Sequence, residues 1–501
     1  DILMNLNQIM TDLSYFIPEM MLTGILLLVI LFDLFQKADT SIRSGYVALG
    51  GLVLVIIALL GQDVSTSVGI FSNMLAVDPF GNFLKILVTV GTILVMWMSF
   101  NSNELKNRRV GEYYTLLLTL VLGMYFLVSA THLLSIYISL EMVSIMSYLL
   151  SGYLKEQMRS NEASIKYVVF GAFSSGILLY GFSLLYGLTG SADIFEIQAA
   201  LSAGTVSPAL MMVILIMILV GFGYKIAAVP FHFWTPDVYE GAPAPITAFL
   251  SVAPKAAGFA IIIRFFNVAL SSAGNPNMES WSALSNMDWQ AVIGILAILS
   301  MTVGNVIALQ QSNIKRMLAY SSIAHAGYML LGVVVADQTG ISAVLYYAAV
   351  YMLMNLGAFF VAIHIKNAFD TEEIEDYKAL GYKAPVLGVI MAIFMFSLTG
   401  LPPTGGFVAK FYLFRALIEY GDMYFWLAII GLINGVISLY YYMRVVKAMY
   451  FGKIEIPDTI HHAPHNVTVL LLVLALPLLF AWMMGDPLST YAQNAVQFFI
   501  Q

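Results

Sequence analysis

Residues 208–230 read PALMMVILIMILVGFGYKIAAVP. This is an apolar run of bilayer-spanning length, with one charge, Lys225, between the glycines Gly221 and Gly223 and the proline Pro230. A spanning helix needs about 20 mainly apolar residues. A lysine at its centre costs roughly 2.5–3.5 kcal/mol. Such a charge faces a bundle interior or a watery cavity and marks an ion or proton path. The pattern recurs twice. Pro254 immediately precedes Lys255, and Lys410 follows Gly400-Leu401-Pro402-Pro403-Thr404-Gly405-Gly406. Three central lysines suggest a total of about 8–10 kcal/mol on the same scale. Proline removes a backbone donor and clashes with the previous turn. At membrane depth, broken helix is tolerated only where protein covers it or it lines a watery cavity. Proline and glycine are common in membrane helices, but three coincidences with lysine favour hydrated, titratable groups.

The rest of the chain agrees. Of 501 residues, 60% are hydrophobic and 10% charged, where a soluble domain carries about 25% charge. The reading is an all-α polytopic membrane protein with fourteen transmembrane helices, near 15–35, 45–62, 80–100, 113–130, 132–152, 163–190, 208–231, 243–271, 289–309, 317–336, 342–365, 386–418, 425–447 and 467–485. The first run, Tyr15 to Phe35, lacks the basic flank and cleavage site of a signal peptide and is kept as a span. Sixteen of the 22 basic residues fall in the loops after the odd-numbered spans or at their edges. The positive-inside rule puts those loops in the cytoplasm and both termini outside. Lys85, Arg264 and Arg415 lie nearer outer span ends and read as snorkelling to the interface.

A weak internal repeat is present. Gly171-Ala172-Phe173 recurs as Gly357-Ala358-Phe359, Lys225 is matched by Lys410, and Tyr148-Leu149-Leu150 by Tyr328-Met329-Leu330. Five spans separate each pair, so the second copy crosses in the opposite sense, as in inverted-repeat transporters. The domains are 1–112 (three N-terminal spans), 113–271 (first inverted repeat, spans 4–8), 272–451 (second inverted repeat, spans 9–13) and 452–501 (a cytoplasmic loop and span 14).

Other residues suit proton chemistry. Glu141, mid-span 5, needs a partner or a proton, and Lys225 is its best candidate. His325, mid-span 10, suits a proton relay near neutral pH, or a neutral ring bonded to a hydroxyl. His232 and Glu162 lie near cytoplasmic span ends, where proton uptake and ordinary interfacial placement compete. His461, His462 and His465 form a loop cluster read as solvated rather than metal-binding. The absence of cysteine excludes disulfides, thiolate zinc sites and cysteine-ligated iron–sulfur clusters. No phosphate-binding loop, basic nucleic-acid stripe or nucleophile–base set appears.

Several stretches closely resemble the antiporter-like membrane subunits of respiratory complex I and the related multi-subunit cation/proton antiporters. They are Ser139 to Tyr148, Ala163 to Gly181, Val229 to Pro243, Asn313 to Ser322, and Leu401 to Phe407. The last, leading to Lys410, is most similar to the N type of complex I. The M type has glutamate at the position of Lys410, and the L type carries a long C-terminal extension.

The resemblance implies spans 7 and 12 broken, Glu141 paired with Lys225, Lys255 as central relay, and Lys410 leading outward. It implies a proton-translocating membrane-arm subunit of NADH:quinone oxidoreductase, driven by redox energy from other subunits. NADH, flavin, iron–sulfur clusters and quinone then belong to partner subunits, with no cofactor or metal in this chain. The partners are other membrane-arm subunits and the lipid bilayer, with no nucleic acid. The location is the bacterial cytoplasmic (inner) membrane, or an organellar equivalent. The alternatives are a subunit of a cation/proton antiporter, a non-pumping structural subunit of the membrane arm, and an intramembrane enzyme, which lacks a catalytic set.

Overall fold

The structure is a computed structural model that describes residues 2–37, 41–106, 108–204, 206–271, 288–451, 464–481 and 487–497. Lys453, His461 and His462 lie outside the described residues. The chain opens with α1 (Ile2–Tyr15), α2 (Ile17–Leu34) and α3 (Ile42–Gly61). A short antiparallel hairpin, β1 (Val68–Ile70) with β2 (Leu75–Val77), leads into α4 (Pro79–Phe100). Then come α5 (Gly111–Ser129), α6 (Leu133–Ser151), α7 (Met158–Thr189), α8 (Ile194–Ala203) and α9 (Pro208–Ile226). Two short pieces of about two turns each, α10 (Thr235–Gly241) and α11 (Ala244–Leu250), precede α12 (Ala253–Ala269). Next are α13 (Trp289–Ala308), α14 (Ile314–Val334), α15 (Gln338–Phe369), α16 (Leu380–Lys383), α17 (Pro385–Thr399) and α18 (Gly405–Tyr420). The chain closes with α19 (Asp422–Tyr450), α20 (His465–Phe480) and α21 (Pro487–Gln497).

Among the described residues, twelve helices are long and apolar enough to cross a membrane, and α17 and α20 are shorter apolar helices. The most enclosed are α11–α12, α14 and α15, while α2, α7 and α19 have the smallest buried share. Sequence chemistry sets several helix starts. Asp78, Asn313 and Asp337 accept backbone N–H groups at the first turns of α4, α14 and α15, which satisfies donors that have no partner within the helix.

Hydrogen bonds define the two ends of the bundle. At one end, Asn103 meets Asn367, Arg108 meets Glu156, and Glu104 meets Lys366. This end carries the basic loops. At the other, Thr131 meets the hairpin, and α8 is tied to α12 by Gln198 on the Ser271 carbonyl.

The helix breaks fall where proline and glycine placed them. After Ile226 the chain leaves α9 through Ala227, which has a left-handed φ of 60°. The freed groups are met by protein: Val229 N–H donates to Ser300 Oγ at 3.0 Å and Trp234 Nε1 to the Tyr224 carbonyl at 3.2 Å. The second break runs from Gly400 to Thr404 between α17 and α18. There Gly400 takes φ +87°, a conformation that glycine adopts without steric cost. A further break, at Ser251–Val252, divides the span expected at 243–271, just before the Pro254 that the sequence sets beside Lys255. Asn355 Nδ2 donates to Ser251 Oγ there, at 2.6 Å.

The snorkelling expected of Lys85 and Arg264 is not what the structure holds. Lys85 and Glu19 form an ion pair at 2.6 Å, each side chain only 3% exposed. Arg264 makes a two-pronged pair with Asp78 at 2.7 and 3.1 Å and also reaches the Val128 carbonyl. The reason is a carboxylate on a neighbouring element within reach, which repays burial better than a stretched stem. Arg415 does lie exposed, paired with Glu419.

Candidate functional site

All three central lysines are buried, at 3% (Lys225), 1% (Lys255) and 6% (Lys410) exposure. Lys225 stands in the last turn of α9, the negative end of the helix dipole. Its Nζ donates to Ser144 Oγ of α6 at 3.2 Å. The expected pair with Glu141 is not formed: Glu141 is half-buried, one turn before Ser144 on α6, and Lys225 has no ion pair among the described residues. The serine lies on the buried face of α6 and takes the ammonium.

Lys255 sits in the first turn of α12, just after the Ser251–Val252 break. Its Nζ donates to the side-chain and carbonyl oxygens of Ser322 on α14, at 2.8 and 3.0 Å. Gly258, one turn further along α12, lets α9 approach closely. A Cβ there would lie 3.5 Å from Lys225 Cγ and 2.8 Å from Ile226 Cγ2.

One turn beyond Ser322 is His325. Its Nδ1 lies 2.6 Å from the Tyr347 hydroxyl of α15 and its Nε2 lies 3.0 Å from the Tyr442 hydroxyl of α19. Tyr442 also bonds Ser321. In a neutral ring one nitrogen donates and the other accepts, so the imidazole completes a hydroxyl–imidazole–hydroxyl chain. Almost one turn further, the ring of Tyr328 receives the ammonium of Lys410, 4.4 Å from its centroid. Lys410 Nζ also donates to the Thr399 carbonyl at 2.8 Å and contacts that of Leu398 at 3.4 Å. These are the last carbonyls of α17. Ser322, His325 and Tyr328 thus follow one another at about one-turn spacing on one enclosed helix, with Lys255 held at the first and Lys410 at the last.

The family described as NADH:quinone oxidoreductase/Mrp antiporter, transmembrane, matches residues 130–438. A protein of Chloroherpeton thalassium named NADH-quinone oxidoreductase subunit N 2 is 47% identical, over 89% of this chain and 86% of that one. The NADH-quinone oxidoreductase subunit N of Chlorobium chlorochromatii is 41% identical, over 97% and 95%. The chain belongs to this family. Among solved structures, a chain of respiratory complex I from Thermus thermophilus with bound aureothin superposes with a TM-score of 0.75 at 29% identity, covering 94% of this chain and 98% of that one. The fold is also shared with a chain of an archaeal membrane-bound sulfane sulfur reductase, at 21% identity and a TM-score of 0.83, covering 97% and 98%.

In this member of the NADH:quinone oxidoreductase/Mrp antiporter family, the remaining expected residues make no hydrogen bond or ion pair with the three lysines among the described residues. His232 is buried in the break after α9, with Nδ1 unpaired. Glu162 is exposed and pairs with Lys166, which bridges to Asp237 of α10. His465 is exposed at the start of α20. Among the described residues, no group of three His, Cys, Asp or Glu side chains is placed to hold a metal ion.

Sequence reasoning passed over Ser144, Ser322, Tyr328, Tyr347 and Tyr442, the hydroxyl and ring partners of the charges. Their signal was faint: Ser322 and Tyr328 follow the helical spacing of His325, while Tyr347 and Tyr442 come from distant helices.

Proposed function

We propose that this chain is a proton-translocating membrane-arm subunit of NADH:quinone oxidoreductase, in which Lys225, Lys255, His325 and Lys410 carry the proton and Glu141 tunes Lys225. The observation that carries the reading is one enclosed helix that bears Ser322, which receives Lys255 at 2.8 Å, then His325 between two tyrosine hydroxyls, then Tyr328, whose ring receives Lys410 at 4.4 Å. It is supported by subunit N relatives that match nearly the whole chain. Its partners are other membrane-arm subunits, and its place is the bacterial inner membrane. A membrane-arm subunit is consistent with carrying no cofactor, the redox groups residing elsewhere.

The finer architecture belongs to this proposal. The short pair α17–α18 and the short α20 complete fourteen spans with both termini outside. The basic end of the bundle then faces the cytoplasm. The halves at 113–271 and 272–451 are inverted repeats, flanked by 1–112 and 452–501. Support comes from breaks inside spans 7 and 12 and from the matched glycines. A Cβ on Gly171 would overlap the Tyr148 hydroxyl, and one on Gly357 the Phe394 ring.

Protons taken from the cytoplasm rest on Lys225, move to Lys255 and leave by way of Lys410. Moving one charge across the membrane costs about 2.3 kcal/mol per 100 mV, so about 4.6 kcal/mol at roughly 200 mV. An opposite charge that approaches to about 4–6 Å and withdraws changes the cost of holding a nearby charge by roughly 1–3 pKa units, about 1.4–4 kcal/mol, the same order as the step. A cycle that closes and opens the gap between Glu141 and Lys225 therefore matches the load in size. The energy arrives through contacts with redox-active neighbours.

The test is Lys225→Ala and Glu141→Ala in the assembled complex, reading NADH-driven proton pumping in sealed vesicles. Both lose pumping under this proposal. Full pumping in both variants removes these residues from the path.

A further inference from the structure

Two helices that carry none of the three lysines, α13 and α19, frame the helix of His325. α13 packs on α14 backbone to backbone. A Cβ on Gly304 would lie 2.8 Å from the Ala324 nitrogen and 2.9 Å from the Tyr320 carbonyl oxygen, and one on Gly327 would lie 2.7 Å from the Met301 nitrogen. Contacts this close resist sliding. α19 is different. Its buried share is among the smallest of the spans, yet it supplies the Tyr442 hydroxyl, which meets His325 Nε2 at 3.0 Å and also bonds Ser321. In lipid, apolar side chains gain little by meeting each other rather than acyl chains. Close packing and polar ties between helices then set their register.

The polar tie here is a buried amide cluster. Asn305 of α13 is 0% exposed and Asn434 of α19 is 3% exposed. Asn305 Nδ2 donates to the Asn434 carbonyl and to its Oδ1, both at 3.2 Å. Asn434 Nδ2 donates to Thr302 Oγ1 of α13 at 3.3 Å and to the Ile430 carbonyl at 3.0 Å. The Tyr441 hydroxyl donates to Asn305 Oδ1 at 2.9 Å. Each amide therefore both donates and accepts across the interface, and leaving one such group unpaired in this setting is costly. Tyr441 directly precedes Tyr442, their rings lie 4.3 Å apart, and both are fully buried. Fixing the first hydroxyl on α13 fixes where the second is presented to α14.

We infer that Asn305 and Asn434 are positioning residues of the proton relay: they set the register of α19 so that the Tyr442 hydroxyl stands on His325. The inference rests on the relay reading above and adds two residues to it. Neither amide takes a proton from the path. About one turn from Asn434, the Gly431 carbonyl accepts from the Tyr328 hydroxyl of α14 at 3.1 Å. Loss of the amides therefore shifts α19 without releasing it.

The experiment is Asn305→Leu in the assembled complex, with NADH-driven proton pumping in sealed vesicles read per mole of complex. Leucine is close in size and deletes the bonds to Asn434 and Tyr441. Pumping is expected to fall roughly tenfold, since a misplacement of about 1 Å can cost about 100-fold. The solvent deuterium isotope effect is expected to grow, because proton transfer past His325 becomes limiting. Tyr442→Phe, which deletes the presented hydroxyl itself, is expected to lose at least as much. Asn305→Leu with Tyr442→Phe is then expected to pump no worse than Tyr442→Phe alone, since the amide acts through that hydroxyl. A merely structural role predicts that the two losses multiply and that the isotope effect stays unchanged, and either result overturns the inference. Should Asn305→Leu fail to assemble, Tyr441→Phe carries the same test, because it keeps the ring and deletes only the bond to Asn305. Normal pumping in whichever of these variants assembles also overturns it. His325→Ala, measured beside them, separates the two readings. Full pumping in His325→Ala sinks the relay through His325. Loss there with normal pumping in Asn305→Leu sinks only the positioning role.

Discussion

The ammonium of Lys410 on α18 lies over the ring face of Tyr328 on α14, 4.4 Å from its centroid. The same ammonium holds the terminal carbonyls of α17. A single lysine therefore ties together both sides of the broken span and the helix that bears His325. A desolvated cation–π contact is worth about 2 kcal/mol, enough to bias where this charge rests.

Tyr328→Leu removes that face, while Tyr328→Phe keeps it and loses only the hydroxyl's bond to the Gly431 carbonyl. Tyr328→Leu is expected to slow NADH-driven pumping by up to about 30-fold, the equivalent of about 2 kcal/mol. Tyr328→Phe is expected to stay within a few-fold of the parent. Pumping assays on purified, reconstituted complex compare the two. Equal rates for Leu and Phe would mean the ring face does not hold the charge.

The Asp78–Arg264 pair fixes α12, the helix of Lys255, against α4. Both side chains are almost fully enclosed. Removing one partner leaves a buried charge and costs roughly 3–5 kcal/mol. Arg264→Ala and Asp78→Asn are each expected to lower the yield of assembled complex sharply. Arg264→Ala with Asp78→Asn is expected to cost less than the two single changes together, since partners in contact are not additive. Thermal denaturation in detergent measures the difference, and strict additivity would rule out the coupling.

Glu372 gives the basic end a defined acid sensitivity. Burial by itself raises a carboxyl pKa, but Lys315 and Lys366, with help from Asn313, overcome it and hold Glu372 at about 2. The folded value lies below the ordinary one of 4.5. Its stabilisation is therefore complete above that ordinary value and is lost as the pH falls from there toward about 2. Melting curves between neutral pH and pH 5 are expected to show no pH dependence from this residue, whose stabilisation is constant there. Below that, Glu372→Gln is expected to flatten the acid limb of the stability profile. An unchanged acid limb in the variant would assign the sensitivity elsewhere.

Two glycines of α7 are expected to respond in opposite ways. Gly171 receives the Tyr148 hydroxyl so closely that an added Cβ overlaps it, whereas Gly176 has open space around it. Gly171→Ala is expected to cost about 1–3 kcal/mol through overpacking. Gly176→Ala is expected to gain roughly 0.5–1 kcal/mol from helix entropy. Opposite shifts in the melting temperature of the purified complex test both.

Much of the fold was legible because hydrophobic length and chain breakers act locally. The apolar run before Pro230 became α9, ending at Ile226, and the Gly400–Gly406 stretch became the break between α17 and α18. The break at Ser251–Val252 was legible only in part. Pro254 pointed to it, but its support, Asn355, lies about a hundred residues away.

The site divides in the same way. Composition and depth alone marked Lys225, Lys255, Lys410 and His325, because a charge or an imidazole in apolar sequence is costly wherever its neighbours come from. Partners are another matter, since they depend on which helix faces which. Only the tertiary structure decided that Lys225 meets Ser144 rather than Glu141, that His325 is held between Tyr347 and Tyr442, and that Lys85 and Arg264 find carboxylates instead of the interface. Lys225 precedes its break and Lys410 follows its own, yet both serve the C-terminal end of a half-helix. One-dimensional spacing records where a charge must be accommodated, and the packing of distant helices selects what accommodates it.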